Sequence, residues 1–338
     1  MEKSCKSCKS RKYTTIISWN VNSIRSRVID FDTAKCKLKE RVILDDSPMG
    51  RLIKKVKPSI ICIQETKCSN KNLGCLNIKG FETYWNCADK AGYSGVSVWS
   101  KDKPLNVEYN LPYLNEESKS LLTEGRIITA YFKDFVLVNT YTPNTLRGGQ
   151  KPKGGWGKAA EEKYKFIKNR KNWDKAICKH LEELKKKYKK VIWCGDMNVA
   201  RSPLDLYQGV MTEKKLEDAD NESRIKDLKK RVKNFKNIDK NGGGAGYRLI
   251  ERKGIEKILD NGFVDVYRKL HPEDYGFTYW DMMRPHFRPI NQGMRLDYFV
   301  VTPNLVKSVK SIKIYKELGE TKPLASDHAA IVLKLVKP

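Results

Sequence analysis

The chain has 338 residues, 40% hydrophobic and 32% charged, enough to bury a large core without disulfides or a structural metal. No apolar run approaches membrane-spanning length, and the start, MEKSCKSCKSRK, lacks the apolar core of a secretion signal; an intracellular, soluble protein is expected, with a nuclear or other DNA-containing compartment left open. Lys and Arg exceed Asp and Glu by 27, which favours nucleic acid over a membrane surface, since no basic amphipathic helix with an aromatic face is evident.

Nine cysteines is an odd number, and without a secretion signal reduced thiols are the default. Cys5 and Cys8 form one CxxC, but no second pair follows to complete a zinc site. Residues 1–12 read as a disordered basic tail. Residues 13–338 read as a single domain in which apolar runs alternate with helical stretches. Strands are expected over 13–19, 59–63, 95–99, 127–132, 135–140, 190–194, 298–302 and 329–336. An amphipathic helix is expected over 172–187, with Trp173, Ile177, Leu181 and Leu184 on one face. Stretches near 28–48, 146–170 and 211–246 are charged or glycine-rich and read as inserted loops.

Polar groups interrupt these strands in a consistent place. The strand over 13–19 runs into Asn20 and Asn22, and that over 59–63 into Gln64 and Glu65. Tyr141 and Asn144 follow 135–140; Gly195, Asp196 and Asn198 follow 190–194. The order then reverses: Asp297 precedes 298–302, and Asp327 with His328 precedes 329–336. If the last two strands run opposite to the first four, all these groups meet at one edge of the sheets, where layered α/β proteins place their sites. One strand ending in an acid merely returns the chain to water. Carboxylate, amide, phenol and imidazole delivered together point to a site.

Glu65, Asp196, Asp297 and Asp327, with amide oxygens of Asn20, Asn22 and Asn198, are hard donors suited to Mg²⁺ or Mn²⁺ and not to zinc. Beside a basic surface, such a centre points to phosphoryl chemistry on nucleic acid.

The strings ISWNVNSIR, ICIQETK, GYSGVSVWS, EGRIITAYFKDFVLVNTYTPN, CGDMNVA, FTYWDMM, GMRLDYFVV and ASDHAAI, in this order, resemble the exonuclease III / AP endonuclease family. They span nearly the whole chain from Tyr13; GDMNVA, RLDYF and SDH are the most specific. The resemblance, within the endonuclease–exonuclease–phosphatase superfamily, implies an α/β fold: a four-layer α/β sandwich, two mixed β-sheets face to face with helices on the outer faces. It implies a Mg²⁺-dependent class II AP endonuclease, with Mn²⁺ as substitute. Such an enzyme acts on double-stranded DNA containing abasic sites and hydrolyses the phosphodiester 5′ to the lesion. It leaves 3′-hydroxyl and 5′-deoxyribose phosphate ends; 3′→5′ exonuclease or 3′-phosphodiesterase activity can accompany incision. A monomer is expected.

The resemblance also assigns roles by position. Glu65 matches the principal metal ligand, and Asp327 lies close to the same ion. Asn22 stands where members have Asp or Asn, so its part is weaker or outer-shell. Asp196 and Asn198 match the pair that positions and activates the attacking water, and with His328 they also belong to the metal site. His328 matches the catalytic histidine, Asp297 the carboxylate that orients it, and Tyr141 the active-site tyrosine. Asn20 matches an asparagine that holds the network, and Asn144 one that contacts the phosphate. Asp196 is the preferred base, although the motifs leave open whether it or His328 takes the proton, and whether one metal or two act.

Tyr279, Trp280, Met294 and Leu296 line up with the walls of a pocket for an extruded abasic sugar, which rejects intact nucleotides by size. Met294 departs from the tryptophan of some members and would leave the pocket looser. Arg147 and Met282 match residues that wedge into bent duplex; Arg25, Lys67 and Tyr93 are candidate DNA-backbone contacts. His180, His271 and His286 read as non-catalytic, Trp99 and Trp193 as core, and Asp205 and Asp265 as structural.

Two alternatives stand beside this reading. One is another phosphodiesterase or phosphatase of the same architecture, including a non-specific deoxyribonuclease. The other is a catalytically inactive DNA-binding scaffold. RLDYF combined with FTYW and strong positive charge speaks against the first, and the complete set Glu65, Asp196, Asn198, Asp297 and His328 against the second.

Overall fold

The computed structural model describes residues 13–24, 47–69, 80–145, 164–207, 245–316 and 326–337. From the N-terminal side come β1 (Tyr13–Asn20), α1 (Pro48–Val56), β2 (Ile60–Gln64), β3 (Glu82–Asn86), β4 (Val96–Ser100), β5 (Asn106–Glu108) and β6 (Ile127–Tyr131). Then follow β7 (Val136–Tyr141), the long helix α2 (Lys165–Tyr188), β8 (Val191–Asp196), α3 (Leu249–Asp260), β9 (Val264–Asp265) and α4 (Val266–Leu270). The last are β10 (Asp297–Val301), α5 (Pro303–Val306), β11 (Val309–Tyr315) and β12 (Ala330–Val336).

The strands form two six-stranded sheets, ordered β11-β12-β1-β2-β4-β3 and β5-β6-β7-β8-β10-β9. β1 runs parallel to β2, and β7 parallel to β8. β12 is antiparallel to β1, and β10 antiparallel to β8. This reversal brings the starts of β10 and β12 to the ends of the earlier strands. Asp297 and Tyr141 both stand in register with Asp196, one on each neighbouring strand.

Both faces of each sheet are covered, so the inner strands read as continuous apolar runs and not as alternations. Ile16, Cys62, Val98, Leu137, Ile192, Phe299 and Leu333 fill the space between the sheets. Ile17, Trp19, Ile61 and Ile63 turn the other way, onto Met49 and Leu52 of α1. Val191 and Trp193 pack with Trp173, Ile177 and Leu181 of α2 and with Ile255 and Ile258 of α3. Helix, sheet, sheet and helices make the expected four layers. Trp99, Trp193 and Trp173 are core residues, and truncating such a side chain costs about 3–5 kcal/mol. No helix among the described residues is long and apolar enough to cross a membrane.

One polar belt crosses this core just beneath the strand ends. Gln64 Nε2 on β2 donates to Asn139 Oδ1 on β7 (2.7 Å) and to Ser18 Oγ (3.1 Å). Asn139 Nδ2 in turn donates to the carbonyls of Ile63 and Ser97. Apolar contact between sheets permits sliding; these bonds fix the offset, because a shift would strand buried polar atoms.

Some boundaries differ from those expected. β1, β2, β7 and β8 take in their polar last residues, which still satisfy the ladder. The helix expected over 172–187 begins at Lys165, so 165–170 are helical and not part of a loop: Ile167 and Arg170 extend the buried stripe through the intervening lysines. Pro48 likewise opens α1, with Ser47 Oγ accepting from Gly50 N at 3.0 Å as its cap. Residues 1–12, 25–46, 146–163 and 208–244 lie outside the described residues, and with them the expectations for Arg25, Arg147, Cys5 and Cys8.

Candidate active site

Asn20 closes β1 and is fully buried. Its Nδ2 donates to Glu65 Oε1 at 3.0 Å and to Asp196 Oδ2 at 2.9 Å, and its Oδ1 accepts from Asn22 N at 3.0 Å. One amide thus joins both sheets at their common edge. Asp196 Oδ1 accepts from Asn198 N (2.8 Å), and Asn198 Nδ2 donates to Thr142 O (2.8 Å), which leaves the Asn198 Oδ1 as an acceptor for water. His328 Nδ1 lies 2.8 Å from Asp297 Oδ2, and its Nε2 lies 3.8 Å from Asp196 Oδ2. The imidazole is therefore held by one carboxylate and aimed at another.

The turns that present these groups are conformationally costly. Asn22, Glu65, Lys67 and Asn198 all have φ between 47° and 52°. Asparagine tolerates this left-handed region, but at Glu65 and Lys67 it costs about 1–2 kcal/mol each. Ladder-like bonds from Ser23 N to Glu65 O and from Lys67 N to Ser94 O hold the turn in place.

Tyr141 ends β7 with its hydroxyl bonded to Glu65. Arg126 supports it: the guanidinium lies 4.8 Å from the Tyr141 ring, and Nη1 donates to the Tyr141 carbonyl at 3.0 Å. Tyr93 belongs to the same cluster, accepting from Arg126 Nη2 and donating to Glu124. Lys67 does not reach outward in this structure; its Nζ bridges Glu65 Oε2 (3.0 Å) and Asn22 Oδ1 (2.5 Å). Asn22 Nδ2 also contacts the Met282 sulfur at 3.3 Å.

The Asn144 and Asn198 loops are pinned from behind. Arg170 Nη1 donates to the carbonyls of Pro143 and Asn198, while its Nε is paired with Asp174. Arg248 Nη1 donates to Thr145 O.

Beside His328, the Tyr279 ring lies 5.0 Å away, and Tyr279 and Met294 pack with Leu296, Leu206, Ala200 and Tyr247. Trp280 does not join this wall. Adjacent residues of an extended segment face opposite ways, and Trp280 is buried against Phe277 and Ala329.

The chain matches the Endonuclease/Exonuclease/phosphatase family over residues 17–328. It is 30% identical to an exodeoxyribonuclease of Bacillus subtilis, across 94% of this chain and 98% of that one. It is 33% identical to the DNA repair nuclease APEX1 of Danio rerio, across 95% of this chain and 81% of that one. The chain belongs to the endonuclease/exonuclease/phosphatase family. A solved AP endonuclease from Leishmania major shares its fold, with a TM-score of 0.66 at 23% identity, covering 97% of this chain and 89% of that one.

In this family member the site's electrostatics follow from crowded acids in a dry setting. Burial raises the Asp196 pKa to about 7: His328 opposes the rise, Asp297 adds to it, and the Asn198 and Asn20 donors moderate it. Burial alone would lower His328, but Asp297, Asp196 and Asp327 outweigh it and raise the imidazole to about 10. Burial would raise Glu65, yet the Lys67 charge and the bonds from Asn20, Lys67 and Tyr141 hold it below the usual range. Burial and the Glu65 charge push the Tyr141 phenol far up despite Arg126, so it stays a neutral donor.

Asp196, Asp297 and His328 are the one trio among the described residues whose ligand atoms lie within 4.8 Å of one another. Among the described residues, the carboxylates Glu65, Asp196, Asp297 and Asp327 have His328 and Lys67 as their neighbouring countercharges. The surplus negative charge and the oxygen donors fit a hard divalent cation, which Glu65 and Asp327 would hold with Asn22 nearby.

Arg126, Arg170 and the Gln64–Asn139 belt were not singled out from sequence. Arg170 had a signal: it interrupts the apolar stripe Ile167, Trp173, Ile177 at helical spacing, and a charge in that position must be paired.

Proposed function

We propose that the chain is a DNA repair endonuclease that hydrolyses the phosphodiester 5′ to an abasic site and leaves 3′-hydroxyl and 5′-deoxyribose phosphate ends. The observation that carries this reading is the Asn20-centred meeting of Glu65, Asp196 and His328 beside the Tyr279–Met294–Leu296 wall. Asp196, with its pKa near 7, accepts the proton of a water that Asn198 Oδ1 also holds. Attack on phosphorus builds charge on the non-bridging oxygens and on the leaving 3′ oxygen. His328, kept protonated and oriented by Asp297, donates to that charge, as do Tyr141 and Asn144. Glu65 and Asp327 would hold Mg²⁺, or Mn²⁺ in its place, which when bound would neutralise further phosphate charge.

The apolar wall selects the lesion. A sugar without its base fits against Tyr279, Met294 and Leu296, while an intact nucleotide is too large. The net charge of +27 draws the duplex to the site. Exonuclease and non-specific nuclease readings make a different prediction about intact DNA. The test is strand cleavage of a duplex bearing one abasic analogue, beside its intact counterpart, with Mg²⁺ and with EDTA. Cutting at the analogue alone, lost in EDTA, supports the reading; equal cutting of both duplexes overturns it.

A further inference from the structure

Arg288 lies on the loop that follows Trp280, outside every motif used above, yet it grips the segment that carries the histidine. Its guanidinium stacks on the Trp280 ring at 4.6 Å. From the same guanidinium, Nη1 donates to Ser326 O at 2.7 Å and Nη2 to Lys316 O at 3.1 Å. The two carbonyls stand where the chain leaves β11 and where it returns towards β12. Ser326 is itself a junction: its Oγ donates to Asn20 O (2.7 Å) and accepts from His328 N (3.1 Å). Trp280 N completes the grip by donating to Asp327 O at 2.9 Å.

The geometry points to Arg288 as a positioning residue for catalysis, locking the Ser326–Asp327–His328 segment to the substrate loop through Trp280 and the two carbonyls. The role rests on the reading of Asp327 and His328 as working groups. Trp280, buried away from the sugar wall, acquires a purpose here as the platform for Arg288. A guanidinium suits the task because its face stacks while its edge donates in two directions. A lysine ammonium carries the same charge but cannot bridge two carbonyls from above an indole. The clamp therefore predicts that charge alone does not rescue.

The test compares Arg288→Lys and Arg288→Gln with Arg284→Gln. Arg284 lies on the same loop, is exposed, and faces Asp281 at 3.8 Å. In single-turnover incision of an abasic duplex, both Arg288 variants should lose about tenfold to a hundredfold in kcat, as misplaced reacting groups do, with KM shifted by less than about threefold. Arg284→Gln should instead raise KM modestly and leave kcat within about twofold. Thermal melting must show that the Arg288 variants are folded at the assay temperature. Amide hydrogen exchange supplies an arm that needs no substrate: amides 328–330 should exchange faster in Arg288→Lys and not in Arg284→Gln. Wild-type kcat in Arg288→Lys, or unchanged exchange at those amides, overturns the clamp. If the wild-type protein fails to cut abasic DNA while the exchange difference is present, the functional reading falls and the clamp stands.

Discussion

Asn20 Nδ2, at the end of one sheet, lies 2.9 Å from Asp196 Oδ2, at the end of the other. The bond crosses the gap between the sheets at the point where water, phosphate and metal would meet. The same amide holds Glu65, so one uncharged side chain sets the spacing between the proposed base and the carboxylate proposed to bind the metal.

Asn20→Ala should therefore lower kcat by about a hundredfold, since two charge-assisted hydrogen bonds are each worth about 1.5–3 kcal/mol. Alanine is small enough for the site, so duplex binding in EDTA should stay near wild type. Activity within a few-fold of wild type would contradict the bridging role.

Asp196→Asn keeps the shape of the side chain and removes its basicity. Incision should fall by about 10²–10⁴-fold, the usual worth of general acid–base catalysis, with little change in DNA affinity. Asp297→Asn acts at one remove: with its carboxylate partner neutralised, His328 loses the orientation of Nδ1, and a loss of about tenfold to a hundredfold in kcat is expected. Steady-state kinetics with a fluorescent abasic duplex separates the two.

How far the sequence announced all this depends on burial. The eight strands expected from it are the inner strands of the two sheets. β3, β5, β9 and β11, which went unseen, are the four sheet edges. Edge strands bury one face at most and carry charge against aggregation, so Glu82, Lys310 and Lys313 mask their pattern. The site residues were legible because polar groups at strand ends break an apolar run. Arg126 and Arg288 were not: they act through backbone carbonyls, and a bond to a carbonyl leaves no trace in the partner's residue type.

Met294 in the sugar wall offers a test of lesion selection. Met294→Trp should fill space beside Tyr279 and Leu296 and penalise intact nucleotides by about 1–3 kcal/mol. The ratio of abasic to intact cutting should rise about tenfold or more. A ratio that does not move would place selection elsewhere.

His180 makes a prediction about stability. It is buried on α2, with Nε2 3.1 Å from Thr129 Oγ1, and burial lowers its pKa to about 4 from 6.5. The folded protein resists protonation that the unfolded chain accepts. The contribution is thus complete above pH 6.5 and lost as pH falls towards 4, about 3 kcal/mol in all. Urea midpoints between pH 7 and 4 should fall more steeply in wild type than in His180→Gln; parallel slopes would contradict the buried neutral imidazole.

The central claim is that this site hydrolyses a phosphodiester with water activated at Asp196. Incision of an abasic duplex in water enriched in heavy oxygen, followed by mass analysis of the ends, tests it most directly. The account predicts one heavy oxygen in the 5′-deoxyribose phosphate, a 3′-hydroxyl that a polymerase extends, and the same labelled product from Asp196→Asn formed about 10²–10⁴-fold more slowly. An unlabelled phosphate with an unsaturated sugar end would mean elimination without attack at phosphorus, and would contradict it.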